Sequence, residues 1–307
     1  MIAITNIGCY IPEKKISNFD LLDKFETDEN FITNKIGVVQ RARKEPEEKA
    51  SDLCIKAFAN LQSKVTIDLL EIDCCVVVTQ NPDFNIPHTS AIVHGALELT
   101  ERCASFDISL GCSGYVYSLS IVTAFMQANG MKKGLLFTAD PYSDIIDEND
   151  KNTALIFGDA ATVSLLDAEQ SGLVPLGFDF GSKGAGHKNL MNEDKLFMNG
   201  RAVFNFTAAT VPISINKLLD KLDLTKEDIE RWYLHQGSKY IVDTISKRLG
   251  LESERVVFDM YEYGNTVSSS IPLLLSKDIE KLQIGQKIGL SGFGVGLSWA
   301  STVLQKN

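Results

Sequence analysis

Short apolar runs that read as strands alternate along this chain with longer stretches carrying a helical stripe, and that alternation restricts the fold more than any other feature. The strand candidates are Ile2–Gly8, Cys74–Thr79, Leu135–Ala139, Thr162–Leu166, Arg231–Leu234, Lys287–Ser291 and Ser298–Leu304. Several are apolar throughout, as strands covered on both faces are. Between them, Leu53, Ala57 and Leu61 recur at helical spacing. So do Val211, Ile215, Leu218, Leu219 and Leu222, and then Ile241, Ile245 and Leu249. The third helix has Ser238 as N-cap and Gly250 as its stop. The run Tyr115–Met126 is apolar nearly all round, which predicts a helix buried on every side. The order of elements predicts an α/β fold.

The two halves echo each other. Leu69–Asp73 leads into the run at Cys74, and Thr225–Glu230 leads into the run at Arg231. Late in each half a glycine turn enters a strand, at Phe157–Val163 and again at Gly292–Ser298. A duplicated α/β unit produces such an echo, and chance similarity is the alternative. The boundary falls near Asp167–Gly172, dividing the chain into residues 1–168 and 169–307. No proline- or glycine-rich linker lies there, so the halves are expected to pack tightly.

Composition narrows the partners. No stretch of the 307 residues approaches the roughly 18 apolar residues of a membrane span. Met1–Cys9 lacks the basic start of a signal peptide. The expectation is a cytoplasmic enzyme that does not engage a membrane. A net charge of −10 argues against a nucleic-acid partner. Of the cysteines Cys9, Cys54, Cys74, Cys75, Cys103 and Cys112, no pair has C-x-x-C spacing, and His88, His94 and His187 are scattered. Neither a metal site nor disulfides are expected.

Three residues carry candidate chemistry. Cys112 follows a strand-like run and Gly111, and a buried helix starts straight after it. At a helix N-terminus, backbone N–H groups and the helix dipole lower a thiol pKa and make a nucleophile; a buried structural thiol is the plainer reading. His235 ends a strand candidate and precedes a helix, where α/β folds place ligand-facing groups; a satisfied structural histidine is the alternative. Asn265 sits in Gly264–Asn265–Thr266 before a serine-rich helix start. It is either a turn residue or an amide donor aimed at a developing oxyanion. The segment Gly292–Gly296 is either a tight turn or a source of backbone N–H groups; it matches neither a Rossmann fingerprint nor a P-loop.

Taken together, these stretches resemble the thiolase superfamily, and within it the ketoacyl synthase III group. The resemblance runs through Ser51–Leu53, Asp107–Gly114, Phe157–Ala160, Met198–Phe204, His235–Gln236, Gly264–Thr266 and Gly292–Trp299 in family order. It implies a thiolase-like fold of two duplicated α/β halves in five αβαβα layers. It implies a ping-pong mechanism: acyl transfer to Cys112, then decarboxylative Claisen condensation with a malonyl thioester, assisted by His235 and Asn265, giving a 3-oxoacyl thioester. Backbone N–H groups of Cys112 and Val295 would form the oxyanion hole. No cysteine follows Cys112, which separates the chain from thiolases.

The resemblance places Phe31, Lys35, Ile86 and Asn205 at the acyl-thioester or coenzyme A contacts, Ile86 where a partner subunit closes the acyl tunnel. Lys239, Lys247 and Arg248 fall on the carrier-docking helix, with Tyr240 where the group has an arginine. Phe31 and Lys35 stand where the group has an adenine-stacking tryptophan and an arginine, which points to a specialised primer. The substrates implied are acyl-CoA or acyl carrier protein thioesters and malonyl carrier protein, with no cofactor. The implied partners are acyl carrier protein and a second copy of the chain. A non-decarboxylating acyltransferase on the same fold, in a secondary-metabolite or glycan pathway, is the rival reading.

Overall fold

The apolar runs form strands covered on both faces: every residue of Cys74–Val78 and of Ala161–Asp167 is buried. The computed structural model describes residues 1–307. Its elements in chain order are β1 (Ala3–Tyr10), β2 (Lys15–Ser17), β3 (Gln40–Ala42), α1 (Ala50–Gln62), β4 (Cys74–Val78), α2 (Thr89–Ala96), β5 (Ala104–Ile108), α3 (Gly114–Ala128), β6 (Lys133–Ala139), α4 (Lys151–Ala154), β7 (Ala161–Asp167), β8 (Leu173–Ser182), β9 (Leu190–Asn192), β10 (Leu196–Met198), α5 (Gly200–Leu222), β11 (Ile229–Leu234), α6 (Lys239–Leu249), α7 (Ser270–Ser276), β12 (Lys287–Gly294) and β13 (Ser298–Lys306). No helix is long and apolar enough to cross a membrane.

Nine strands hydrogen-bond in the order β11-β12-β13-β8-β1-β7-β6-β4-β5. The order contains one pairing pattern twice. β1 runs antiparallel to β7, β7 antiparallel to β6, and β6 parallel to β4. Likewise β8 runs antiparallel to β13, β13 antiparallel to β12, and β12 parallel to β11. Where the first block adds β5, the second has a single parallel bridge between Trp232 and Val256. The blocks join at Ile4 opposite Leu173.

Strand alternation explains the layering. Val76 and Val78 of β4 face a central core, while Cys75 and Val77 face an outer one. The central core joins Val116 and Leu119 of α3, and Leu274 and Leu275 of α7, to strands of both blocks. One outer core is α1 against the first block, through Leu53, Ala57 and Phe58. The other is α5 and α6 against the second, through Val211, Ile215 and Ile245 around Trp232. The result is helix, sheet, helix, sheet, helix. Each fully buried Leu, Val or Phe contributes roughly 1.5–3 kcal/mol by burial.

Two expectations need correction, and one strand was absent from the candidates. α3 is not buried on every side: Ile121 is 42% exposed, and Ala124 and Ala128 on the same face are exposed too. No element of this chain covers that face. Residues 292–294 are the end of β12, paired with β13, and only Val295–Leu297 turns. β8 was not anticipated, because Pro175, Gly177 and Gly181 suggest a loop. The strand accommodates Pro175 where its register against β13 shifts.

At Gly158 the two halves approach closely. A Cβ there would lie 1.8 Å from the Tyr263 carbonyl oxygen, a clash between backbones that no rotamer relieves. Gly158→Ala is therefore expected to cost about 3 kcal/mol or more. Urea unfolding measures this, and an unchanged midpoint would refute the close approach.

Candidate active site

In parallel sheets, functional groups collect beyond the carboxyl ends of the strands. Cys112 lies past the end of β5, just before α3 begins, and His235 follows β11 directly. Asn265 hangs from a bridge instead. Its N–H donates to the Ile156 carbonyl at 2.8 Å, and its carbonyl accepts from the Gly158 N–H at 3.0 Å. Cys112 thus comes from the first half, and His235 and Asn265 from the second. All three line one cavity of about 460 Å³. Each is nearly buried, at 5%, 2% and 3% exposure.

Each side chain has a fixed orientation. The Asn265 Oδ1 accepts from the Val267 N–H at 2.9 Å, which leaves the NH₂ group to donate elsewhere. Val267 reaches that position with φ of +52°, a left-handed conformation that is strained for a β-branched residue. The His235 Nδ1 lies 2.8 Å from the Ser270 hydroxyl, and its ring stands edge-on to Phe293, 5.6 Å between centroids. The serines expected at a helix start do precede α7, and Ser270 opens it.

The electrostatics follow burial. Burial pushes the His235 pKa down to about 3, with the Val267 backbone pulling weakly the other way, so the ring is neutral at physiological pH. Burial pushes the Cys112 thiol up to about 12, against the stabilising backbone N–H groups of Val295 and of Cys112 itself. This corrects the expectation of a lowered thiol pKa: the helix terminus is present, but desolvation outweighs it. Asp140 lies nearby without a cation. It accepts from the Gln80 N–H at 2.7 Å and from the Ser268 hydroxyl, and burial raises its carboxyl to about 6. The Tyr142 hydroxyl donates to the Gln80 Oε1 at 3.0 Å, with its ring 5.0 Å from that of Phe157. Asp140, Gln80, Tyr142 and Ser270 were missed in the sequence. Gln80 and Asp140 each had one faint signal there, a position directly after an apolar strand run.

A histidine neutral by burial has a thermodynamic signature. The unfolded ring protonates near 6.5 and the folded one only near 3, so between these values the unfolded chain binds more protons. The stabilising contribution is complete above pH 6.5 and is lost as pH falls through about 3. In NMR spectra of ¹⁵N-histidine-labelled protein, the resonance absent from His235→Gln is expected to stay in its neutral position down to about pH 4. Titration near 6.5 would contradict the assignment.

The cavity mouth is aromatic and basic. Phe31, Lys35, Arg201, Phe204 and Tyr240 line it. Tyr240 stacks on Phe204 with centroids 5.0 Å apart, and the Lys35 ammonium lies 5.8 Å from the Phe31 ring and 5.9 Å from that of Tyr240. The Lys151 ammonium is closer to Phe31, at 4.7 Å, a neighbour that no local pattern announces. Asn205 is exposed and outside the cavity, because Arg201, Phe204 and Thr207 occupy the face of α5 that lines it. Ile86 is 88% exposed and also outside. On α6, Lys239 pairs with Asp243 at 2.8 Å and Lys247 is exposed. Arg248 donates to the Ala208 carbonyl at 2.8 Å, an acceptor left free because Pro212 has no N–H.

A thiol, two backbone N–H groups, a neutral imidazole and an oriented amide suit acyl transfer through a thioester followed by enolate chemistry. Comparison with known proteins is consistent. Residues 106–184 match the family model for 3-oxoacyl-[acyl-carrier-protein] synthase III, and residues 219–306 match the model for its C-terminal part. The chain is 32% identical to a beta-ketoacyl-[acyl-carrier-protein] synthase III of Bacillus cereus, covering 99% of this chain and 98% of that one. The crystal structure of the beta-ketoacyl-[acyl-carrier-protein] synthase III of Thermus thermophilus superposes with a TM-score of 0.93 at 32% identity, covering 99% of each chain. The priming beta-ketosynthase of the R1128 polyketide pathway superposes with a TM-score of 0.91 at 25% identity, covering 100% of this chain and 96% of that one.

Proposed function

Because the chain belongs to the 3-oxoacyl-[acyl-carrier-protein] synthase III family of condensing acyltransferases, we propose that Cys112 is its acyl-carrying nucleophile and that His235 and Asn265 form the donor pair for condensation. The observation that supports the assignment is the convergence of all three on one cavity.

In the first half-reaction the Cys112 sulfur attacks the carbonyl of an acyl thioester and loses its proton as the S–C bond forms. Charge collects on the former carbonyl oxygen, where the N–H groups of Cys112 and Val295 receive it. The tetrahedral species collapses and expels the carrier thiol, which takes the proton. In the second half-reaction a malonyl thioester binds. Asn265 donates from its NH₂ group. His235 donates from Nε2–H in the tautomer whose Nδ1 accepts the Ser270 hydroxyl. Both donate to the thioester oxygen as CO₂ leaves, the enolate attacks the acyl-cysteine carbonyl, and the Cys112 thiolate departs. A neutral imidazole still has one N–H, and with Nδ1 accepting from Ser270 that N–H is on Nε2 and free to donate.

Acyl-CoA or acyl carrier protein supplies the primer and malonyl carrier protein the extender, without a cofactor. Phe31 offers a face for a nucleobase, and Lys35, Lys151, Arg201, Lys239 and Lys247 offer positive charge to an acidic carrier in an otherwise acidic chain. A second copy fits the outer edge of β5 and the apolar face of Ile121, where the Phe106 and Phe125 rings meet at 5.3 Å. From there, Ile86 would reach the partner's acyl site. The compartment proposed is the cytoplasm.

The test is ¹⁴CO₂ release from carboxyl-labelled malonyl carrier protein, paired with intact-mass measurement of Cys112 adducts across a panel of acyl donors. Acyl loading without CO₂ release would favour transfer to an alcohol or amine. Preferential loading by acetyl-CoA would overturn the specialised primer.

A further inference from the structure

The oxyanion hole has a design problem. Its second donor, Val295, stands between Gly294 at φ +155° and Gly296 at φ +131°, both in the region open to glycine. The glycines are required at least in part by contact: a Cβ on Gly294 would sit 2.8 Å from the Cys112 sulfur, and one on Gly292 would sit 2.7 Å from the Cys112 carbonyl oxygen. The turn thus comes close to the nucleophile by giving up the side chains that would stiffen it. A donor must be fixed in place before the charge develops, or part of its effect is lost to reorganisation.

Two hydroxyls supply a restraint. The Ser298 Oγ donates to the Val295 carbonyl at 2.8 Å and lies 2.7 Å from the Ser113 Oγ. A hydroxyl has one proton, and that of Ser298 goes to Val295, so Ser113 is the donor to Ser298. Ser298 is a residue of β13 paired with Gly294, and therefore stands on a rigid element. Ser113 adjoins the nucleophile. It occupies the N-cap of α3, where a serine ordinarily bonds its own helix, yet it makes no capping bond. Its hydroxyl goes to the opposing turn instead, a local departure of the kind expected where function competes with helix stability. Both serines are buried, at 0% and 4% exposure.

We propose that Ser298, backed by Ser113, is a positioning residue that fixes the Val295 N–H over the Cys112 sulfur. The inference rests on the assignment of Cys112 as nucleophile. The Val295 carbonyl is held by Ser298 while its N–H faces the Cys112 thiol, so the relay ties the second oxyanion donor to Ser113 beside the first.

The experiment measures single-turnover acylation of the full-length enzyme by butyryl-CoA, read by intact mass. Ser298→Ala is expected to slow loading at least about 10-fold with KM for butyryl-CoA within about 2-fold, since loss of one such donor outright costs about 10²–10³. Ser298→Thr, which keeps the hydroxyl, is expected to stay within about 3-fold of wild type. Ser113→Ala should lose less than Ser298→Ala, because Ser298 keeps its bond to Val295. Alkylation of Cys112 by iodoacetamide builds no oxyanion and should be unchanged. Wild-type loading by Ser298→Ala would overturn the inference. So would an equal loss in alkylation, a greater loss in Ser113→Ala, or failure of Ser298→Thr to restore the rate. Loading that persists in Cys112→Ala would remove the nucleophile assignment, and this inference with it.

Discussion

Cys112→Ala is expected to abolish acyl loading and to lower condensation by about 10⁴-fold or more, as loss of a catalytic nucleophile does. The variant should be uncoupled rather than inert. The donors assigned to enolate formation, His235 and Asn265, are untouched, so malonyl carrier protein should still lose CO₂ and give the acetyl thioester by protonation of the enolate. Intact mass, ¹⁴CO₂ release and product chromatography read the three quantities separately. Cys112 is buried in an apolar cluster that includes Phe157 and Leu297, and loss of one sulfur there removes little volume. The urea midpoint should therefore move little, and a collapsed fold would be recognised as such. A variant that still formed 3-oxoacyl product would sink the assignment.

Asn265→Asp separates donation from packing. The exchange keeps the shape and keeps an oxygen to accept from Val267, but it puts a carboxylate oxygen where the NH₂ group was. A group that donated to the enolate would now repel it. Condensation is expected to fall by at least about 10²–10³-fold, the effect of losing one oxyanion donor. Acyl loading of Cys112 should stay within a few-fold, because the donors proposed for the first half-reaction are the N–H groups of Val295 and Cys112 instead. Equal loss in both half-reactions would show that Asn265 holds the site's shape and does not act in one step. His235→Ala should show the same asymmetry, since the proposed mechanism has its Nε2–H donate to the same oxygen.

The parts of this structure legible in the sequence were those written in local pattern. The buried strands β4 and β7 appear as unbroken apolar runs, and α6 carries both its cap Ser238 and its stop Gly250. Cys112 was legible because a glycine, a thiol and a helix follow one another. What stayed hidden depended on partners distant in the chain. β8 looks like a loop until β13 supplies a register that absorbs Pro175. α7 is one short apolar run, with Pro272 in its first turn, where a missing N–H costs nothing. Asp140 becomes notable only when Ser268 arrives from the other half to share its carboxylate. The exposed face of α3 was invisible because composition cannot say which side a chain leaves uncovered. The thiol expectation failed for a related reason: helix position is local, whereas desolvation is set by everything packed around Cys112.

Val267 carries a consequence for how this protein can change. A β-branched residue in a left-handed backbone well is a standing energetic debit, and glycine or asparagine would fit that well with less strain. Directed evolution for heat resistance alone should therefore find this position early. The same relaxation would loosen the peptide that aims the Asn265 amide, so gains in melting temperature should come with falling turnover. Robustness and activity would then compete at a single codon.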